Sequence, residues 1–515
     1  MINGFKNQKI YLLVFIFLVL SISFLVFWRA FSFDFWGEDW EQIWFAKYQP
    51  SMINNLQEMQ HPLVIYEELL LVKYFGFNTV FWQFVGFGLK ILSAFAVSLM
   101  VLGLTKSKKA AFFTGLIYAS SVGGLASFTW VAAHSSALEI PFICLGIYFW
   151  VTSYKNSMSL QKGRFLLALI LLILSFLADP ARGIFGIFIV IFWEILSVMQ
   201  YPQKLKESRG RIIIIFASLL ATFMIYQYFV DIKNTVSVSY NLGIALKNPL
   251  NSLNNFLNNI GNLSIGWLLP IRQNLFAVSG KNIFGSIAGY LFFFQTIFLL
   301  FKFFKQRSES LKIILIFSVW IPIFFLPNWL LPNQEMIQNG QVLGMTHRYL
   351  TLSAIGLACY LGYVISRIKK NFLRGFLFLI VIGSNILVSN QILKKESEYR
   401  STKVTKPIWD KIEKDIPQGA EDVLFFIQGN DKYQVNSISQ AKIPFAIRRG
   451  ITSRDKWPIS TSDPGNAKGY VCGLFVNERK IPISNLYSWY IKGNSAENIS
   501  EETRKKFSEV DCDSI

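Results

Sequence analysis

Residues 11–27 read YLLVFIFLVLSISFLVF, continue into Trp28-Arg29, and are followed by Phe35-Trp36-Gly37-Glu38-Asp39-Trp40-Glu41. An uncharged run of this length makes about 26 Å of helix, which with its flanks crosses the roughly 30 Å hydrocarbon layer of a bilayer. Lys6 and Lys9 precede it and no small-residue cleavage site closes it, so it reads as a retained first span and not a cleaved signal peptide. Ten more apolar runs follow. The eleven expected spans are 10–30, 79–104, 110–129, 134–154, 164–178, 183–200, 212–230, 283–304, 312–331, 348–366 and 372–392.

The composition agrees. The 515 residues are 53% hydrophobic and 16% charged, with a mean hydropathy of +0.40, too little polar side chain to coat one soluble globule. The net charge of +19 would suggest nucleic acid in a soluble chain, but here it reads as topology. An N-terminus inside places Lys106, Lys108 and Lys109, then Lys204, Lys206, Arg209 and Arg211, then Lys302, Lys305 and Arg307, then Arg367, Lys369 and Lys370 on the cytoplasmic side. An odd number of spans then puts the C-terminus outside. The expectation is an all-α polytopic membrane domain over 1–395 and a small extracytoplasmic α/β domain over 396–515.

That tail is nearly neutral, with 18 basic and 17 acidic residues. Val423 to Ile427 and Tyr470 to Val476 read as strands, and Pro407 to Ile416 as a helix ended near Pro417 and Gly419. Cys472 and Cys512 are its only cysteines and would lie in an oxidising compartment, where a disulfide is one of two open outcomes; Cys144 and Cys359 fall in apolar spans. There is no CxxC, HExxH, Walker or Rossmann pattern, so neither a structural zinc nor a nucleotide is expected. No cofactor is expected, a divalent metal being the one allowance. Residues 231–281 read as a long outer loop with Asn251, Asn254, Asn255, Asn258, Asn259 and Asn262, whose amides can bind sugar hydroxyls although the run reads first as compositional bias.

The acids are unevenly placed. Seven of the fourteen before residue 396 lie between Asp34 and Glu68, in the first outer loop. Keeping positive charge inside explains part of this, but not adjacent carboxylates at 38 and 39 set among aromatics directly after a membrane helix. Carboxylates beside apolar walls are poorly hydrated and gain basicity, which suits a general base. All three histidines, His61, His134 and His347, fall on the same expected outer side and can donate to phosphate or sugar hydroxyls. Arg182 and Arg348, at outer helix ends, can offer forked donors to a phosphate, although Asp179 is near enough to claim Arg182 and an arginine at a helix end also snorkels. Lys90, Glu139 and Glu194 are embedded in apolar runs and need partners or a watery groove.

Glu38-Asp39 after the first span, His61-Pro62-Leu63, Tyr74 to Asn78 before the second, Ser127 to Ser136 between the third and fourth, and His347-Arg348-Tyr349-Leu350 before a late span together resemble the GT-C superfamily of membrane glycosyltransferases. They are most similar to its polyprenyl-phosphate-sugar-dependent branch, which includes protein mannosyltransferases and aminoarabinose transferases. The resemblance implies that this acidic pair supplies the catalytic base and carries the role onto Asp39 with Glu38 beside it; the Glu-Asp order, where many relatives have Asp-Asp or Asp-Glu, leaves open which of the two is the base. Where relatives carry a Lys-Glu pair, this chain has Asp179-Pro180-Ala181-Arg182.

The expected activity is transfer of a hexosyl or pentosyl group from a polyprenyl-phosphate sugar at the outer face of the cytoplasmic membrane. The acceptor would be a glycan, lipid or protein. Arg348 and Arg182 would hold the donor phosphate, His61, His134, His347 and Tyr349 would bind substrate, and membrane lipid but no nucleic acid would be a partner. The competing class is a transporter or a lipid-handling or scaffold protein without catalysis. Transporters show paired broken repeats, which this chain lacks.

Overall fold

The computed structural model describes residues 2–50, 61–153, 161–229, 243, 246–266, 268, 277–278, 283–330, 342–420, 422–475, 480–509 and 512. Two compact units are present. The first comprises Met1–Trp28, Asn55–Tyr66 and Phe84–Ile392; the second comprises Arg29–Asn54, Glu67–Gln83 and Leu393–Ile515. The second unit thus adds two segments of the first outer loop to the expected tail domain.

In chain order the helices are α1 (Ile2–Phe27), α2 (Glu38–Tyr48), α3 (Pro62–Phe75), α4 (Thr79–Thr105), α5 (Lys108–Ser120), α6 (His134–Thr152), α7 (Lys162–Ala178), α8 (Pro180–Gln200), α9 (Leu205–Phe229) and α10 (Pro249–Ile265). They continue with α11 (Ile283–Gln306), α12 (Glu309–Leu330), α13 (Thr351–Arg367) and α14 (Asn371–Arg400). Among the described residues a helix stands at each expected span, and 8 are long and apolar enough to cross a membrane. Their outward faces carry large apolar side chains such as Phe17, Phe24, Phe294, Phe298 and Phe301, which only hydrocarbon can cover favourably. The protein is a multi-pass membrane protein.

Two sequence expectations are corrected here. The run 110–129 is not one helix: α5 ends after 13 residues, and Gly124, at φ 69°, turns the chain before a short helical turn at Ala126–Thr129. A left-handed backbone of this kind breaks a helix whatever the hydropathy. Likewise 231–281 is not all loop. Asn248 caps α10 by accepting from Asn251 N, and Pro249 occupies its first turn. Asn255, Asn258, Asn259 and Asn262 are buried on it. Asn259 Oδ1 accepts from Leu343 N at 2.7 Å and Asn262 Nδ2 donates to Leu343 O at 2.8 Å, satisfying both backbone groups of one residue. That residue lies in β2 (Val342–Leu343), antiparallel to β1 (Ala277–Val278).

Two of the buried charges inside the spans, Lys90 and Glu194, find hydrogen-bond partners. Lys90 Nζ donates to Ser121 O at 3.0 Å and lies 4.5 Å from the Tyr118 ring centroid. Glu194 accepts from Trp150 Nε1 and Ser208 Oγ, each at 2.6 Å, with Arg211 at 3.6 Å. Glu139, also buried, has no hydrogen bond at either carboxylate oxygen among the described residues.

In the second unit α15 (Thr402–Asp415) precedes a four-stranded sheet ordered β4 (Ile459–Thr461), β3 (Leu424–Gly429), β5 (Leu486–Lys492) and β6 (Ser495–Asn498), with only β6 antiparallel. Phe425 and Ile427 face one core with Trp409 and Trp489, and Leu424 and Phe426 face another with Ile481 and Phe507. Burial on both faces is why β3 reads as an unbroken apolar run. The strand expected from Tyr470 is instead the end of α16 (Pro464–Cys472). Asp463 caps that helix and Gly473, at φ 72°, ends it, and this local chemistry outweighs the β-branched and aromatic residues. Cys472 and Cys512 form a disulfide, and Cys144 and Cys359 are free and buried.

Helices α10 and α11 touch through glycine: a Cβ on Gly261 would stand 1.8 Å from Gly285 O. Gly261→Ala is expected to cost about 3 kcal/mol or to lower expression of folded protein, because backbone and not a flexible side chain must yield. Gly88→Ala, with open space around it, should leave the melting temperature nearly unchanged. Equal melting temperatures for the two variants would refute this close contact.

Candidate active site

In the first unit, two sequence motifs far apart in the chain meet. Gly124 N donates to Met345 O and Ala126 N to Thr346 O, both at 2.8 Å, and the Ser127 and Thr351 hydroxyls lie 2.6 Å apart. Gly124 is obligatory because a Cβ would fall 2.2 Å from Thr351 Cα. This seam sets Trp130 under Arg348, whose Cζ lies 4.7 Å from the indole centroid. Stacking orients the guanidinium and leaves its N–H edge available. Arg348 is half-buried, and its guanidinium makes no hydrogen bond or ion pair with a described residue.

Arg182 joins the same cluster. The α7–α8 corner is tight, since a Cβ on Gly183 would stand 2.6 Å from Phe176 Cα, and Asp179 begins α8. Arg182 is buried, ion-paired to Asp179 and hydrogen-bonded to Ser136 Oγ on α6. Its Cζ and that of Arg348 each lie 5.5 Å from the Tyr349 ring centroid, so one ring borders both cations. Asp179 therefore does claim Arg182, without removing it from the cluster.

The histidines differ in role. His347 Nδ1 accepts from Tyr349 N at 3.2 Å, which requires a neutral ring protonated at Nε2. Burial, with Arg348 and Arg182 adding repulsion, holds its pKa down to about 3. His61 Nδ1 donates to Ala178 O at 3.2 Å, and its pKa is lowered by burial, then opposed by Asp179 and reinforced by Arg182 and Arg348. His134 is buried at the first residue of α6, two positions before Ser136. Trp130 and Ser136 were not singled out in the sequence, though both lie in the quoted Ser127–Ser136 motif.

The acidic pair belongs to the second unit and is described there. Gly37, at φ 58°, precedes α2, and Asp39 in its first turn is 1% exposed and accepts from Trp36 N at 3.0 Å through Oδ2. A helix N-terminus favours a carboxylate at this place. Glu38, by contrast, is exposed. Asp34 accepts from Thr405 Oγ1 at 2.5 Å and Trp409 Nε1 at 3.3 Å, which ties it to α15; burial still raises its pKa. Glu68 on α3 is buried, with Oε1 unbonded among the described residues. Burial, then Glu67 and Asp39, push its pKa well above the usual carboxylate range. Nothing in the sequence distinguished Glu68 from its six acidic neighbours, because its burial arises only when the helix packs. Among the described residues no group of three or more His, Cys, Asp or Glu is placed to hold a metal ion.

No protein-family model matches the sequence, and no curated protein matches it. Solved structures do match. The archaeal oligosaccharyltransferase AglB from Archaeoglobus fulgidus, in complex with an inhibitory peptide and a dolichol-phosphate, is similar over 94% of this chain and 69% of that one, at 13% identity and a TM-score of 0.50. Its apo form gives 93% and 69% coverage at the same identity and TM-score. ArnT from Cupriavidus metallidurans bound to undecaprenyl phosphate gives 90% and 88% coverage, 12% identity and a TM-score of 0.36.

The chain has the GT-C fold.

Two measurements test the electrostatics. The His347 imidazole nitrogens should show no titration between pH 8 and about 5 by ¹⁵N NMR, since the ring is neutral well above about 3. A depressed histidine pKa adds stability above the unfolded value of roughly 6.5 that fades as pH falls; a transition near 6.5 would refute the assignment. Glu68 has the opposite sign: its raised pKa adds stability at low pH that is lost as pH rises from the unfolded value. The melting temperature of Glu68→Gln relative to wild type should therefore increase from pH 4 to pH 8, and a pH-independent difference would be contrary.

Proposed function

We propose that the protein is a glycosyltransferase that moves a sugar from a polyprenyl phosphate to an acceptor at the outer face of the cytoplasmic membrane. The observation that carries this is the pair of arginines around Tyr349 at the head of an apolar groove. Arg348 is a half-buried cation with no described anionic partner. From Arg182, the stripe Phe185, Phe188, Phe192 and Ile195 descends one face of α8 into a groove of about 530 Å³ formed with α11 and α12. A cationic head and an apolar trough suit a lipid phosphate with an isoprenoid tail.

In this reading the acceptor atom bonds to the sugar C1 as the C1–O bond to phosphate breaks, and the lipid phosphate leaves with the electron pair, its charge met by the Arg348 and Arg182 guanidinium groups. The acceptor gives its proton to a carboxylate, and Asp39 takes that role because it is buried and backbone-fixed whereas Glu38 is in solvent. His61, His134, His347 and Tyr349 bind substrate, the neutral His347 presenting an Nε2–H donor.

Asp39→Asn is expected to insert and fold normally yet lose about a hundredfold or more of transfer, the scale of a lost general base; wild-type turnover would sink the role. Arg348→Lys should raise the donor KM more than kcat, because a point charge replaces a fork. Unchanged donor KM there, with a loss only in Arg182→Lys, would move the phosphate to the α7–α8 corner. For topology, a Cys introduced at exposed Ser484 should react with an impermeant thiol reagent in intact cells. Reaction only after lysis would reverse the orientation.

A further inference from the structure

The opposite end of the first unit holds a charged cavity. Thr152 lies eighteen residues along α6 from His134, or about 27 Å. There α4, α6, α7, α8 and α12 surround a cavity of about 680 Å³. Four of its lining residues are cationic, Lys106, Arg164, Lys204 and Lys312, against the two carboxylates Glu194 and Glu309. Glu194 is occupied by Trp150, Ser208 and Arg211, so the lining has an excess of positive charge.

Lys312 is the built part of this site. It is 3% exposed, its Nζ lies 4.0 Å from the Trp193 ring centroid and 2.9 Å from Glu309 Oε2, and Ser197 Oγ is 3.5 Å away. A buried ammonium costs free energy unless its donors are used. Here one good bond goes to a carboxylate that is itself 47% exposed. Beside these charges the wall is apolar, with Leu102, Leu104 and Val151. A phosphate ester would meet the cations, and an attached glycerol and acyl chain would follow the apolar wall.

The geometry points to a binding site for the head group of an anionic phospholipid in this cavity. Basic pockets between span ends take such head groups, and the half-apolar lining favours a lipid over a free phosphate. The site is separate from the arginine pair around Tyr349 and stands whether or not that pair handles a donor.

The test is native mass spectrometry of the purified full chain in detergent, offered phosphatidylglycerol or phosphatidylcholine. Phosphatidylglycerol should be retained about tenfold better, and Arg164→Gln and Lys312→Gln should each reduce its retention about fivefold, the effect of one cation near a charged head group. Lys108→Gln, exposed at the start of α5 and outside the cavity lining, should change nothing. Arg164 is exposed, so its variant keeps the test valid if the buried Lys312 variant misfolds. Equal retention of the two lipids, or full retention in Arg164→Gln, would overturn the proposal. Displacement of phosphatidylglycerol by millimolar inorganic phosphate or glycerol 3-phosphate would overturn it in favour of a soluble phosphate site.

Discussion

The seam between Val122–Ser127 and Met345–Thr351 is the constraint on which the first unit's site depends. Two backbone hydrogen bonds, from Gly124 and Ala126, and one hydroxyl pair, Ser127 with Thr351, join segments more than two hundred residues apart. Buried backbone donors must be paired, and at a broken helix they cannot be paired within the helix. The break after α5 therefore creates the need that the Met345 and Thr346 carbonyls meet. Trp130 and Arg348 are brought together as a result, and α6 starts where Ser136 can reach Arg182.

Inside a low dielectric, charges sort by whether they are compensated. Lys90 is spent on the Ser121 carbonyl and two rings, and Glu194 on Trp150, Ser208 and Arg211. These fix helices. Arg182 is divided between Asp179 and Ser136, which fixes the guanidinium in place. Among the described residues the Arg348 guanidinium meets only aromatic faces, which orient a cation without neutralising it. A phosphate arriving at such a group gains a charge-assisted bond and displaces no carboxylate, whereas Lys90 and the Glu194–Arg211 pair offer no such gain.

The spans were legible because hydrocarbon thickness imposes a minimum length on apolar runs, and the basic clusters mark their ends. The break at Gly124 was not, because hydropathy is blind to a positive φ and to a carbonyl two hundred residues away. For α10 the asparagines looked like composition, yet Asn259 and Asn262 each satisfy a backbone group of Leu343, a role visible only once β2 is placed. In the tail, Val423–Ile427 was readable as a strand because both its faces are buried, and Tyr470 was misread because the cap at Asp463 lies outside the apolar run. Of the candidate residues, charge type and position pointed to Arg182, Arg348 and His347. Trp130 and Ser136, which orient the arginines, carry no titratable group to draw notice.

The resemblance pointed first to Asp39 without excluding Glu38, and burial distinguishes the two. An exposed glutamate has water as its solvent, whereas Asp39 is enclosed and oriented by Trp36 N. Enclosing one carboxylate near others would ordinarily accumulate negative charge, and two ions cannot both be held cheaply at short range. Glu68 takes the consequence: burial and the charges of Glu67 and Asp39 drive it toward its neutral form. In the proposed reading, the neutral form favoured at Glu68 lowers the negative charge around Asp39, the proton-accepting member. Two carboxyl groups whose environments push them apart are how one protein surface supplies an acid and a base at the same pH.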